Sequence, residues 1–174
     1  MRIEHTLPPA KDPGALALSV GRALDRAAQE TAREMRRTVA ANRSTAFSNL
    51  LNSIQVFRDS EFERSIAPTV NHARMVDEGT GPAAGKARYF PDPRALEPYV
   101  KLRAGVTYSG RPGSASRWKQ RNEVRDRAWA LARFIFAHGT QPHPFAAPTA
   151  ENMRPRILEL LAGGVREGLE GGRA

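Results

Sequence analysis

ARFIFAHGTQPHPFAAP (132–148) repeats, with additions, an earlier stretch, ARMVDEGTGP (73–82). Both place Ala-Arg, then apolar residues, then Gly-Thr and a proline. Gly79-Thr80 and Gly139-Thr140 each stand where a regular run must stop. Glycine permits the positive φ of a sharp exit, and the following proline forbids continuation of a helix. The second copy adds Pro142, Pro144 and Pro148 around Phe145. That describes a stiff, extended segment with one large apolar anchor, suited to docking rather than to catalysis. Gly79, Thr80, Gly139, Thr140, Pro144, Phe145 and Pro148 are therefore the expected docking or oligomer interface, with Phe145 buried.

Outward from this pair, the 174 residues suffice for a single domain with one core, residues 1–174. Hydrophobic content is 40% and aromatic content 7%, so part of the chain is expected outside a packed core or ordered by a partner. The absence of cysteine excludes disulfides and cysteine-ligated zinc. The N-terminus, MRIEHTLPPAKDP, lacks the apolar region of a signal peptide, and the most apolar run is broken by Arg133. A cytosolic site of synthesis and no membrane partner are expected.

Net charge is +9, with a pI near 10.9. Between 101 and 127, eight Lys/Arg face only Glu123 and Asp126, a net +6 of that total. Arg111, Arg117, Lys119, Arg121, Arg125 and Arg127 form the expected basic contact. A solvated helix face is the plain reading; contact with a polyanion or an acidic protein surface is the sharper one.

In chain order, residues 1–11 read as an arm. Asp12-Pro13 is a helix start, with Asp as N-cap and Pro at the first helical position. A long helix follows to about Ala41, with Leu16, Val20, Leu24, Ala27, Thr31, Met35 and Val39 in one stripe. Ile54 and Val56 alternate with polar residues as in a half-buried strand. Asp59-Ser60-Glu61 gives a hairpin turn and 62–66 the return strand. A short helical turn spans His72 to Glu78. Residues 79–117, rich in Gly and Pro, read as an extended loop or arm that orders on binding. A second helix is expected over 116–137, with Trp118 counted in its stripe. A last helix begins near Asn152, or at Thr149 with a bend at Pro155. The class is α+β: long N-terminal helix, small antiparallel sheet, long loop, second helix, C-terminal helix.

Catalytic chemistry finds little purchase. GTGPAAGK (79–86) misses the phosphate-loop spacing, and Ala87 replaces the magnesium-binding hydroxyl. His138 and His143 lack the helical i, i+4 spacing of a metalloprotease pair. Asp77-Glu78, adjacent at a helix end, suits a cap or ion pair better than a catalytic dyad. No cofactor, metal or catalytic residue is assigned. Trp118 and Tyr108 among arginines would suit base stacking.

Three segments in order carry a resemblance. SNLLNSI (48–54) resembles the T-G-N-L-(R)-x-S-I signature of a family of tailed-phage neck and tail-completion proteins. ARMVDEGT (73–80) resembles that family's A-x-Y-V-E-x-G-T, and PHPFAAP (142–148) its x-x-P-F-L-R-P-A. The family includes minor tail components of lambda-like siphophages and prophages and is similar to the minor tail protein Z class. Ser48, Met75 and Ala146-Ala147 depart from the usual glycine, aromatic and Leu-Arg, and 81–117 is longer than in compact members. The resemblance implies a non-enzymatic, homo-oligomeric ring subunit in the virion, assembled in the host cytoplasm. Such a ring joins the head connector or head-closure proteins to the tail-terminator or tail-tube proteins. Genomic DNA crosses its lumen without sequence-specific binding. A basic nucleic-acid-binding protein acting through 101–127 is the alternative.

Overall fold

The computed structural model describes residues 12–42, 49–103, 105 and 111–170. The expected arm at 1–11, most of the turn around 42–44, Ser48, Tyr108 and the C-terminal end after Glu170 lie outside the described residues. The fold is α+β and mostly helical. Its elements are α1 (Pro13–Ala41), α2 (Asn49–Ser53), β1 (Ile54–Arg58), β2 (Arg64–Pro68), α3 (Ala73–Glu78), a 3-10 turn (Pro82–Ala84), α4 (Pro93–Arg103), α5 (Ala115–His138) and α6 (Ala146–Glu170). Where the sequence suggests one domain, the described residues fall into two compact units. The first is drawn from Met1–Arg37, Ile54–Ala67 and Ala147–Ala174, the second from Thr38–Ser53 and Pro68–Ala146.

In the first unit, Asp12 caps α1 as its sequence requires. Its Oδ1 accepts from the N–H of Gly14 (2.9 Å) and Ala15 (3.2 Å). The buried stripe then departs from the expected one. Ser19 and Ala23 are buried, whereas Leu16, Val20 and Leu24 are only half-buried. The cause is α6. A Cβ on Gly164 would stand 2.5 Å from that of Ala23, and one on Gly168 would stand 2.3 Å from Ser19 Oγ. The two helices approach where both lack bulk, so the smallest residues, not the leucines, occupy the seam. Ser19 and Thr31 satisfy their buried hydroxyls on the carbonyls of Leu16 (2.9 Å) and Ala27 (2.8 Å). Farther along, Arg156 of α6 donates to Glu30 of α1 (2.9 Å) and to Glu159 (2.8 Å). The hydrogen bond from Arg156 is the chief reason the Glu30 carboxyl sits below its ordinary pKa, and Arg156 is raised in turn.

β1 and β2 form a two-stranded sheet, with Ile54 fully buried and Arg36 Nη2 donating to its carbonyl. The return strand begins two residues later than expected. Arg64 is the reason. Its side chain is 4% exposed, pairs with Asp25, and donates to the carbonyls of Ser60 (2.8 Å), Glu61 (3.3 Å) and Glu63 (2.9 Å). One guanidinium thus gathers the carbonyls of the turn, and the regular strand begins only at Arg64.

In the second unit, the expected loop at 79–117 is corrected by the structure: it contains the 3-10 turn, α4 and the start of α5. Asp92 Oδ1 accepts from Arg94 N–H (2.9 Å), so Asp92-Pro93 opens α4 as Asp12-Pro13 opens α1. α4 packs on α5 through Val100, Val124 and Ala128, with Leu96, Tyr99 and Leu131 around them. α5 starts on Ser114, whose Oγ accepts from Arg117 N–H (3.4 Å).

Adjacent glycines of α6 test the packing of the first unit. A Cβ on Gly163 meets nothing within 4 Å, so Gly163→Ala should stabilise by about 0.5–1 kcal/mol through helix propensity. Gly164→Ala gains the same propensity but forces the seam apart, and a net loss of about 1–2 kcal/mol is expected. Thermal or urea unfolding of the two variants reads the difference directly.

Candidate interaction surface

The two Gly-Thr copies meet each other. Thr80 N–H donates to Thr140 O (3.0 Å), Thr140 N–H donates to Thr80 O (2.9 Å), and the two hydroxyls lie 2.8 Å apart. This is an isolated antiparallel bridge between segments that follow α3 and α5. Gly79 (φ 67°, ψ 179°) and Gly139 (φ 78°, ψ −170°) occupy a region open essentially to glycine alone. A Cβ on Gly79 would stand 2.6 Å from Thr140 O, and one on Gly139 would stand 2.1 Å from Thr80 O. The repeat in the sequence is a pseudo-symmetric clasp inside one chain.

The clasp also positions the start of α6. His143 N–H donates to Val76 O (2.9 Å), and Asn42 Nδ2 donates to Pro144 O (3.0 Å). Asp77 Oδ1 then accepts from the N–H of Phe145 (2.7 Å) and Ala146 (3.1 Å). Two free donors at the first turn of α6 are satisfied by a carboxylate, which also suits the positive end of the helix. That is why α6 starts at Ala146, earlier than either expected start, with Pro148 in its first turn. Phe145 is 2% exposed. It is buried, as the sequence suggests, and its pocket belongs to its own chain. Pro144 is exposed and Pro148 half-buried. Glu78, the other acidic residue of the pair, accepts from Lys86 Nζ (2.7 Å) and Arg74 Nε (3.0 Å). The Lys86 bond first, then the Arg74 bond, holds its carboxyl below the ordinary value.

The expected basic contact is divided by the helix period. On α5, positions 118, 121, 125, 129 and 136 recur on one side. Arg121 and Arg125 therefore run beside Trp118 and Trp129, whereas Lys119 and Arg127 point elsewhere, Arg127 paired with Glu123. Arg125 has Asp126 at 3.7 Å. Arg117 is half-buried, and Arg111 is exposed ahead of the helix. Of the stripe expected from sequence, Val124 and Ala128 are buried, with Ala132 beside them, whereas Trp118 is 68% exposed. Phe90, from the segment before α4, packs its ring 6.0 Å from Trp129 and 5.8 Å from Phe136, and Arg88 lies 5.9 Å from the Phe136 centroid. The result is an exposed ridge of aromatic rings interleaved with guanidinium groups. Sequence reasoning missed Arg88, Phe90, Trp129 and Phe136 as members; the i, i+7 spacing of Trp129 and Phe136 was the available signal.

A scan against protein-family models and searches of curated proteins and solved structures each return no match.

His138 stacks on Phe134 (4.4 Å between centroids) with its Nδ1 3.1 Å from the Phe134 carbonyl, and His143 is engaged through its backbone. Among the described residues no group of three or more His, Asp or Glu is placed to hold a metal, and no helix is long and apolar enough to cross a membrane.

Two outcomes are expected for the clasp and its cap. Gly139→Ala should cost on the order of 3 kcal/mol from backbone strain and overlap with Thr80, and Phe145→Ala about 3 kcal/mol from the cavity it leaves. Unfolding curves measure both. For Glu78, a depressed folded pKa contributes stability above its ordinary value of 4.5 that is lost as pH falls through the folded value. Glu78→Gln should therefore lower the melting temperature at neutral pH, where the contribution is present, converge with the unsubstituted protein in acid, and so flatten the acid limb of melting temperature against pH.

Proposed function

We propose that the chain is a structural subunit of a phage or prophage neck or tail-completion ring, joining the head connector to the tail tube and letting DNA pass. The observation that carries this reading is where the large apolar side chains lie. Both tryptophans and five of the six phenylalanines among the described residues are exposed, while alanines and glycines fill the seams. A soluble chain that leaves so much aromatic surface uncovered is built to be covered by protein. The contact between two of the motif-like segments adds support. ARMVDEGT and PHPFAAP are joined through Val76, which accepts from His143, and Asp77, which accepts from Phe145 and Ala146. In this reading the partners are further copies of the chain, head-closure proteins, and tail-terminator or tail-tube proteins.

The second reading, nucleic-acid binding through 101–127, is favoured by Trp118 standing exposed beside Arg121 and Arg125. The two separate in the producing phage. Without the chain, filled heads and separate tails should accumulate, and restoring it should join them. Joined particles in its absence would refute the neck assignment. A steeply salt-dependent shift of free DNA by the isolated chain would support the second reading.

A further inference from the structure

Two exposed features of this chain complement each other in charge and in apolar content. One is the turn between β1 and β2. There Arg64 draws in the carbonyls of Ser60, Glu61 and Glu63, so the turn is a fixed knob rather than a loose loop. It carries Asp59, Glu61 and Glu63, all exposed and without ion pairs among the described residues, and Phe62, 53% exposed, at their centre. The other is the ridge on α5, where Trp118 and Trp129 flank Arg121 and Arg125 and Arg88 lies over Phe136. An acidic knob with an aromatic tip meets a basic ridge with aromatic rings.

We propose that the acidic β-hairpin knob of one copy docks on the aromatic–arginine ridge of α5 in a second copy. Phe62 lies among the exposed rings near Trp118 and Trp129, and the Glu61 and Glu63 carboxylates accept from Arg121 and Arg125. Nucleic acid on the ridge would account for the arginines and rings of α5 but would leave the acidic knob and exposed Phe62 without a role. A second copy uses both surfaces at once. Because the two patches differ, the contact is heterologous: each copy offers a knob to one neighbour and a ridge to the other, which propagates to a ring or a filament. The inference rests on the reading of the chain as an assembly subunit and names the contact that would build it.

The test is a charge swap in the purified full-length chain, read by sedimentation velocity over a range of concentrations. Wild type should associate. E61K/E63K and R121E/R125E should each weaken association at least about tenfold, through like-charge contact. An equimolar mixture of the two variants should associate again, because each reversed patch then meets its complement, and the fourfold variant should associate alone. Circular dichroism melts control for folding; all four residues are exposed. Monomeric wild type at every concentration, or association insensitive to both reversals, would overturn the proposal. So would a ridge whose R121E/R125E reversal abolishes salt-dependent binding of a single-stranded DNA oligonucleotide while leaving association intact. A chain that self-associates through these residues but joins no heads to tails would keep this contact and lose the neck assignment. Joining that survives both reversals would do the opposite.

Discussion

Everything after α3 in the second unit depends on the closeness of two backbones. Thr80 and Thr140 exchange both of their main-chain hydrogen bonds, and the glycine before each removes the Cβ that would otherwise strike the opposite carbonyl. The constraint is steric before it is energetic. A bridge of one residue pair is weak by itself, since a two-stranded contact is marginal in water. It holds because Asp77, Val76 and Asn42 continue it into the first turn of α6 and because Phe145 is sealed beneath. Sequence distance is converted to proximity by two glycines that no other residue replaces without strain.

The same economy of volume shapes the first unit. α1 and α6 meet through Ser19, Ala23, Gly164 and Gly168, residues with little side chain to bury. Close approach of backbones yields many dispersion contacts per unit length, but little apolar area is removed from water. The larger apolar groups are left outside, on α5, at the hairpin and around Phe90. A chain organised in this way leaves much of its apolar area available for burial against other molecules, which is the basis of the assembly role proposed above.

Much of the fold was legible from local chemistry. Asp12-Pro13 and the alanine-rich period gave α1, the alternation at Ile54 and Val56 gave β1, and the Gly-Thr stops gave the ends of α3 and α5. Helix α4 was not read, although Asp92-Pro93 repeats the start signal used for α1. Pro98 and the surrounding glycines spoke for a loop, and only packing of Val100 against Val124 settles the matter in favour of a helix. Trp118 is a matter of helix period. Six residues before Val124, it falls on a different side of α5 from the buried Val124 and Ala128 and stays exposed. Arg64 illustrates a different limit: its residue type reads as surface, and its burial follows from a turn of carbonyls that assembles only in three dimensions. For the docking residues, the repeat was visible, but that its two copies bind each other inside one chain depends on tertiary proximity.

The clasp also makes α4 and α5 an insertion whose entrance and exit coincide. Residues 80 and 140 are hydrogen-bonded neighbours, so the chain between them begins and ends at one point. The entropy of closing such an excursion grows only with the logarithm of its length. Lengthening or shortening it therefore changes little at the clasp or at the first turn of α6. The ridge on α5 is borne by a segment whose size can vary independently of its base. A chain with that architecture can alter which surface it offers, and how far it extends, while the fold that carries it stays the same.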